Sequence, residues 1–304
     1  MSTAITAKRR DALWLALPGL LFLAALLLLP ALALLSVSFT DAETGGFSLE
    51  AYERAFGTPS WRRIVGQTFT VAAQTTGLCL LLGYPLAYWL AEMPARRRRM
   101  MSLLILLPFW TSALVKNFAW LVLLGRNGVV AGALRGLGLD APDLLFNRGV
   151  VLFAMTHSLL PLAVITMLAT MTGIDPRLRA AAGTLGAPRV AGFWRIYVPL
   201  SMPGVASAGL LVFIASLGYF ITPALLGSPR ETMMGNAIIV QVMQMDNMVF
   251  GAALAAIMIA SALATCIVYD AIFGLSGVSA GASGARRRGP VRRLGLAIAA
   301  FLAT

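Results

Sequence analysis

The sequence predicts an all-α integral membrane protein with six transmembrane helices, on the evidence of its composition and of six long apolar windows. Of the 304 residues, 59% are hydrophobic and 12% are charged, whereas an ordinary soluble domain is about 25% charged. One soluble core cannot hide an apolar excess of this size, so the composition favours an integral membrane protein. Each window is long enough to cross a bilayer, which requires about 20 residues.

The windows define the predicted elements in chain order, after a short cytoplasmic N-terminus at residues 1–11. The first window holds 29 residues without a charge, whereas a secretory signal peptide has an apolar core of only about 7–15 residues. This window is therefore predicted to be a retained span. The six-span domain covers residues 12–274, with approximate span bounds of 12–39, 66–91, 101–125, 149–173, 203–227 and 249–271.

Lysine and arginine are distributed unevenly between the two sides of these spans. If the N-terminus is inside, the cytoplasmic segments carry 16 of them and the outer loops carry 7, while Lys116 lies inside the third span. The positive-inside rule then predicts that both termini are cytoplasmic. Topology accounts for most of the net charge of +12, so no nucleic-acid partner is expected.

A basic cytoplasmic tail is predicted at residues 275–304. Only eleven uncharged residues follow Arg293, which is too few to span a bilayer. The tail is either an interfacial segment or the start of a truncated further span.

The loop between spans four and five, residues 175–202, is unusual because it is rich in glycine, proline and arginine. Asp175 and Pro176 are typical of a helix N-cap and of the first helical position. A first surface helix is predicted from there, with a turn at Gly186, since glycine adopts positive φ without steric cost. Pro188 then opens a second short helix.

The end of this second helix is predicted from two further prolines. Arg189, Phe193 and Ile196 share one of its faces, and Pro199 and Pro203 are expected to stop it before the fifth span. Periodicity alone leaves two interpretations open. The pair of helices either inserts into a cleft of another protein or rests among lipid headgroups.

The 175–202 segment resembles the EAA loop of permease subunits from bacterial binding-protein-dependent ABC importers. The family's glutamate is replaced by Ala180 here, while Ile196 fits the closing pattern I-x-x-P. The resemblance implies that an ATPase subunit is contacted by Ala180, Ala181, Ala182, Leu185, Gly186, Ala187, Phe193 and Pro199.

Three further stretches resemble the spermidine/putrescine-type branch of these permeases. They are PFWTSALVKNFAWLVLLG at residues 108–125, GYFITPALLG at 218–227 and MMGNAIIVQV with FGAALA within 233–255. The resemblance implies a multi-pass protein of the bacterial inner membrane that translocates a small solute, with a polyamine or related cation as the expected substrate.

The same resemblance implies the partners and the source of energy. The expected partners are ABC ATPase subunits, a second homologous permease subunit, a periplasmic solute-binding protein and membrane lipid. The chain contains no G-x-x-x-x-G-K-[ST] motif, so ATP and magnesium are expected on the partner ATPase. No cofactor is expected on this chain.

Several polar and aromatic residues of the spans are candidates for the translocation path. Aromatic faces attract cations, but tryptophan and tyrosine also serve as packing residues and interfacial anchors. His157 is either a helix–helix hydrogen-bonding residue or a substrate contact, and Lys116 either snorkels to the headgroups or lies at the path rim or a subunit interface. The path candidates are Trp110, Asn117, Trp120, His157, Tyr219 and Phe220.

Two other classes of function compete with an importer subunit. A membrane enzyme would need clustered acids, histidines or a serine–lysine pair, and the spans offer only Lys116 and His157. A secondary transporter or channel would be expected to show inverted repeats or intramembrane carboxylates, and neither is evident. Cys79 and Cys266 have no metal-ligand spacing, so neither a zinc site nor a disulfide is expected.

Overall fold

The computed structural model describes residues 2–41, 44–138, 143–184 and 186–273. Leu185 and the predicted tail at 275–304 lie outside these residues. The described residues form α-helices, with one isolated antiparallel bridge between Thr40 and Phe47. The helices are α1 (Ser2–Ser38), α2 (Glu50–Gly57), α3 (Pro59–Ala91), α4 (Ala95–Trp110), α5 (Ala113–Leu124), α6 (Val129–Gly136), α7 (Arg148–Met171), α8 (Arg177–Thr184), α9 (Arg189–Gly192), α10 (Val198–Leu217), α11 (Ile221–Leu226), α12 (Met234–Ile239) and α13 (Met248–Phe273).

Six helical stretches in the described residues are long and apolar enough to cross a membrane, which confirms the predicted fold class. They are Leu17–Ser38, Pro59–Ala91, Ala113–Gly136, Arg148–Met171, Arg189–Leu217 and Met248–Ala271. Several bounds differ from those predicted, and the third and fifth spans differ most.

The third predicted span, residues 101–125, is broken in the structure. Helix α4 ends at Trp110, and Thr111 and Ser112 are extended before α5 begins. Pro108 lies inside the last turn of α4, shortly before the break. The side chain of Lys116 donates to the Pro108 carbonyl at 2.8 Å, and a cation is favourable at the C-terminus of a helix. Lys116 therefore stabilises the break.

The fifth span begins earlier than predicted and ends earlier, at Leu217. The expectation that Pro199 and Pro203 would stop the preceding helix was wrong. A π-helical turn at Phe193–Tyr197 joins α9 to α10 without interruption, and Val198 N–H donates to the carbonyl of Phe193, five residues back. A wider turn of this kind relieves the clash of a proline ring with the preceding turn.

The chain divides into two compact units. The first comprises residues 1–62 and 238–257, and the second comprises 63–237 and the described part of 258–304. In the first unit, Phe39 stacks on Phe47 and Tyr52, and the Arg54 guanidinium lies 4.7 Å from the ring centroid of Phe250. This unit also contains α1, whose described leucines are largely exposed, as expected of a helix that faces lipid.

In the second unit, α7 is the most buried of the six candidate spans. Asn147 caps its start, with its side-chain oxygen accepting from Val150 N–H at 3.1 Å. Helix α10 crosses α7 closely, since a Cβ added at Gly204 would lie only 2.6 Å from the Cβ of Thr170. Small residues that permit close backbone approach are typical of membrane helix packing. Helix α7 is thus the central element of this unit.

Candidate functional site

The 175–202 segment begins with a capped helix, as predicted. The backbone N–H of Arg177 donates to the Asp175 carboxylate at 2.9 Å, and Ala180 N–H donates to the Pro176 carbonyl at 3.3 Å. The carboxylate satisfies a donor that α8 leaves unpaired at its N-terminus.

The turn after α8 depends on Gly186, which has φ +80°. Gly186 N–H donates to the Gly183 carbonyl and Ala187 N–H to the Ala182 carbonyl, both at 3.0 Å. This pair of bonds is the Schellman arrangement, which requires a left-handed residue where Gly186 stands. The positive φ predicted for Gly186 is confirmed.

The surface of this helix–turn–helix is made of small residues with two apolar ones beside them. Ala180, Ala181 and Gly183 are exposed. Leu178 is 45% exposed and Val190 is 68% exposed. Exposed apolar side chains on a segment outside the apolar windows indicate a contact surface for another protein or for lipid.

The second surface helix is attached to two membrane helices by three rings, the aromatic anchor of Tyr88, Phe193 and Tyr197. The Tyr88 ring lies edge-on to Phe193 at 5.2 Å and to Tyr197 at 4.9 Å between centroids. Phe193 and Tyr197 stack at 5.9 Å. The 175–202 segment therefore contacts α3 through Tyr88, and it continues into α10 through the π-helical turn that carries Phe193 and Tyr197.

Sequence reasoning missed Tyr88 and Tyr197. The aromatic run in FWRIY, residues 193–197, was the available signal, but the wider spacing of a π-helical turn is not visible in a 3.6-residue pattern. Pro199, predicted among the ATPase contacts, lies in the first turn of α10 and is half-buried.

Two of the path candidates, Trp120 and His157, are brought together. The Trp120 ring lies edge-on to His157 at 5.5 Å and to Phe153 at 4.7 Å. The buried His157 Nδ1 has no hydrogen-bond partner among the described residues, so this nitrogen makes no helix–helix hydrogen bond there. Asn117 is 2% exposed and donates to the carbonyl of Ala113 in its own helix at 2.8 Å.

Tyr219 lies on another side of α7. Its hydroxyl is within hydrogen-bonding reach of Ser158, and its ring packs against a cluster that includes Val71 and Met233. Phe220 follows in the chain and is 39% exposed, while Trp110 is 77% exposed and makes no ring contact among the described residues. The structure therefore groups Trp120 with His157 and Tyr219 with Ser158, and it leaves Trp110 apart.

Four buried hydroxyls were also not singled out from the sequence. The hydroxyls of Thr75, Thr156, Ser216 and Thr222 are buried and have no partner among the described residues. Unsatisfied buried hydroxyls are costly in an apolar interior, so they mark positions where water or a solute would be favourable. Serine and threonine are ordinary in membrane helices, which explains why the sequence alone does not distinguish these four.

A network of polar side chains at the N-terminal end of α7 joins this helix to α3 and to the segment that contains Glu231. Arg148 donates to the side-chain oxygens of Gln74 at 2.9 Å and Gln67 at 3.3 Å. Gln67 in turn donates to Glu231. On the predicted topology this network of side chains lies toward the outer ends of α3 and α7. In the part of the chain that the structure describes, no group of three histidine, cysteine or acidic residues could hold a metal ion.

The six long apolar helices of the described residues define a class of protein, a multi-pass membrane protein. A family model described as the inner membrane component of binding-protein-dependent transport systems matches residues 82–276. The chain belongs to this family and is an ABC importer permease.

Individual relatives refine the comparison. The chain is 31% identical over 233 residues to the spermidine/putrescine transport system permease protein PotB of Haemophilus influenzae, covering 74% of this chain and 81% of that one. It is 32% identical over 232 residues to PotB of Escherichia coli strain K12, covering 74% of this chain and 84% of the relative.

A solved structure shows the same fold. It is that of a bacterial alginate ABC transporter in complex with an alginate pentasaccharide-bound periplasmic protein, with a TM-score of 0.67 at 22% identity over 87% of this chain and 95% of that one. The family and the six apolar helices place this chain in the inner membrane as a multi-pass protein. Its relatives are transport permeases rather than enzymes, consistent with a non-enzymatic membrane subunit.

Proposed function

We propose that this chain is one of two membrane subunits of an ATP-driven importer and that the 175–202 segment docks into an ATPase subunit. The observation that carries the proposal is the exposed helix–turn–helix, whose small residues are attached to α3 and α10 by the aromatic anchor. A rigid link of this kind transmits a two-state movement without melting. ATP and magnesium belong on the partner, since the chain has no phosphate-binding loop.

The proposed substrate is a small organic solute, with a polyamine or related cation as the first candidate. The relatives named for spermidine and putrescine support this choice. The faces of Trp120 and Tyr219 would attract an organic cation, and the buried hydroxyls of Thr75 and Thr156 would accept hydrogen bonds from ammonium groups. Lys116 is not proposed as a ligand, because its hydrogen bond to the neutral Pro108 carbonyl leaves its positive charge uncancelled, and that charge would repel a cation.

Delivery by a periplasmic solute-binding protein on the outer face completes the proposal. The alginate transporter of the same fold is named for a complex with a periplasmic protein. In this scheme the N-terminus, the C-terminus and the 175–202 segment are cytoplasmic, as the asymmetry of basic residues predicts.

Reconstitution tests the proposal directly. The chain is co-expressed with its ATPase and second permease, isolated through a tag on this chain, and placed in liposomes with the binding protein. We expect the ATPase to co-purify, and radiolabelled spermidine or putrescine to enter only with ATP. Uptake of the polyamine by this chain alone would contradict an importer subunit. ATP-dependent uptake of other solutes, but of neither polyamine, would contradict the substrate assignment alone.

A further inference from the structure

A cavity of about 320 Å³ lies between the start of α4 and the end of α7, at the cytoplasmic surface on the predicted topology. This is far more than the roughly 15 Å³ that a single water requires. Arg98, Arg99, Ser102 and Thr172 bring charge and hydroxyls to it, while Ile165, Leu168 and Ala169 supply an apolar wall. We call this space the arginine cavity.

Neither arginine of the cavity forms an ion pair with an acidic residue in the described part of the chain. The ion pair found among the described residues joins Arg126 to Asp143, in another part of the chain. No side-chain hydrogen bond of Arg98, Arg99 or Ser102 to a described residue is present. Arg98 is nonetheless half-buried, so its charge is partly withdrawn from water without compensation.

The end of α7 does not use these arginines either. Its last carbonyls are satisfied locally, with Thr172 N–H donating to Leu168 at 2.9 Å and the Thr172 hydroxyl to Ala169 at 3.1 Å. Gly173 N–H donates to the Thr170 carbonyl at 3.1 Å, and Ile174 N–H donates to the Met171 carbonyl at 3.3 Å. The guanidinium donors therefore remain available for an external anion.

The start of α4 adds a second favourable contribution on the same side. Pro94 precedes the helix and offers no side-chain cap, so the first backbone N–H groups of this 16-residue helix have no helical partner. Ala95, the first helical residue, lines the cavity. A helix N-terminus together with arginine side chains is well suited to bind a phosphate group.

The apolar wall of the arginine cavity favours a phospholipid over a free phosphate ion as the ligand. Ile165 and Leu168 of α7 precede Thr172, so on the predicted topology they lie deeper in the membrane than the end of the helix, and Leu103 and Leu104 of α4 are exposed. A phospholipid places its phosphate among basic groups and its acyl chains against such a surface. We propose that the arginine cavity binds the phosphate headgroup of an anionic phospholipid.

The chain itself offers a matched control. Arg96 and Arg97 belong to the same run of four arginines but do not line the cavity. Arg96→Gln/Arg97→Gln and Arg98→Gln/Arg99→Gln therefore remove equal charge from neighbouring positions. Ser102→Leu is a third variant, which fills the cavity and keeps every arginine.

The full-length chain in mild detergent is titrated with phosphatidylglycerol, phosphatidylcholine of the same acyl chains or inorganic phosphate, and retained lipid is read by native mass spectrometry. We expect phosphatidylglycerol to be retained in preference to phosphatidylcholine. Arg98→Gln/Arg99→Gln is expected to lower this retention about tenfold, and Ser102→Leu to lower it as well. Arg96→Gln/Arg97→Gln should keep it.

Four results would overturn the proposal. Equal losses in both arginine pairs would indicate a diffuse basic surface, and no loss in either would place the lipid elsewhere. Displacement of the lipid by millimolar inorganic phosphate would identify a site for the free anion. Unchanged lipid retention in Arg98→Gln/Arg99→Gln, with loss of ATPase co-purification, would assign the arginines to a protein contact. Each variant is compared at matched thermal stability, so that misfolding is recognised.

Discussion

Gly186 determines the path of the chain between α8 and α9. Its φ of +80° is paired with two hydrogen bonds that hold the turn closed, and an added Cβ would meet no atom within 4 Å. The cost of a side chain within this chain is thus backbone strain of about 1 kcal/mol. Any larger effect on activity must come from what docks against the turn.

Gly186→Asp is therefore expected to insert into the membrane at normal levels and to lose ATPase assembly or substrate-stimulated ATP hydrolysis. Aspartate tolerates the left-handed region better than most residues, so the fold survives while the side chain enters the docking surface. Membrane abundance, ATPase co-purification and uptake are measured together. Ala180→Glu is the control, because it adds the same charge to the same helix–turn–helix and restores the family's usual residue. Normal transport by Gly186→Asp would contradict docking into an ATPase and would favour a helix pair that rests among lipid headgroups.

Gly204 permits the close crossing of α10 on α7. A Cβ at this position would lie 2.6 Å from Thr170 Cβ, so Gly204→Ala forces the two helices apart. We expect it to lower the midpoint of thermal denaturation in detergent, since overpacking costs about 1–3 kcal/mol. Gly77→Ala in α3 is the matched control, because its Cβ would meet nothing within 4 Å. A midpoint for Gly204→Ala equal to or above that of Gly77→Ala would contradict the close crossing.

At the scale of the elements, the 175–202 segment and the membrane helices are linked through the aromatic anchor. Phe193 contacts both Tyr88 and Tyr197. If this link carries movement from the ATPase to α3 and α10, weakening it should uncouple ATP hydrolysis from transport without preventing assembly.

Phe193→Leu is expected to keep ATPase co-purification and to reduce uptake per ATP hydrolysed several-fold. Leucine fills part of the space but loses the ring contacts, which contribute about 0.5–1.5 kcal/mol per pair. Hydrolysis and uptake are measured on the same proteoliposomes. Phe193→Tyr preserves the ring and should remain coupled. An unchanged ratio in Phe193→Leu would show that the anchor is only structural.

The elements also show what the sequence could and could not predict. Long uncharged windows predicted the number of spans, because length and hydropathy decide whether a helix crosses lipid. Length and hydropathy do not reveal the break at Thr111 and Ser112. The break is stabilised by a hydrogen bond from the Lys116 side chain to the carbonyl of Pro108, eight residues earlier in the chain. The same holds for the site. The capping and turn residues Asp175 and Gly186 were predictable because their interactions are local, whereas Tyr88 joins Phe193 only through tertiary packing.

At the scale of the whole molecule, the orientation of the chain follows from its arginines and lysines. The predicted outer loops carry 7 of these residues and the cytoplasmic segments 16. Single cysteines at the exposed positions Thr44 and Arg230 should react with an impermeant thiol reagent added outside intact cells, and one at Thr184 should react only after permeabilisation. The background carries Cys79→Ala and Cys266→Ala, since both native thiols are free. Labelling of Thr184→Cys in intact cells would contradict the predicted orientation.

At the scale of the whole molecule, the chain is also expected to depend on partner subunits for its activity. The family match covers residues 82–276, and the chain carries no phosphate-binding loop with which to hydrolyse ATP. In liposomes the purified chain is expected to hydrolyse no ATP and to accumulate no spermidine or putrescine, and activity should appear only with an ATPase and a second permease. An ATPase variant that lacks its phosphate-binding lysine is the control, because it preserves assembly and removes hydrolysis. Solute movement with that variant, or with this chain alone, would indicate a passive channel or a secondary carrier. Movement that requires the active ATPase would place the energy source on the partner and leave this chain the tasks of docking it and guiding the solute.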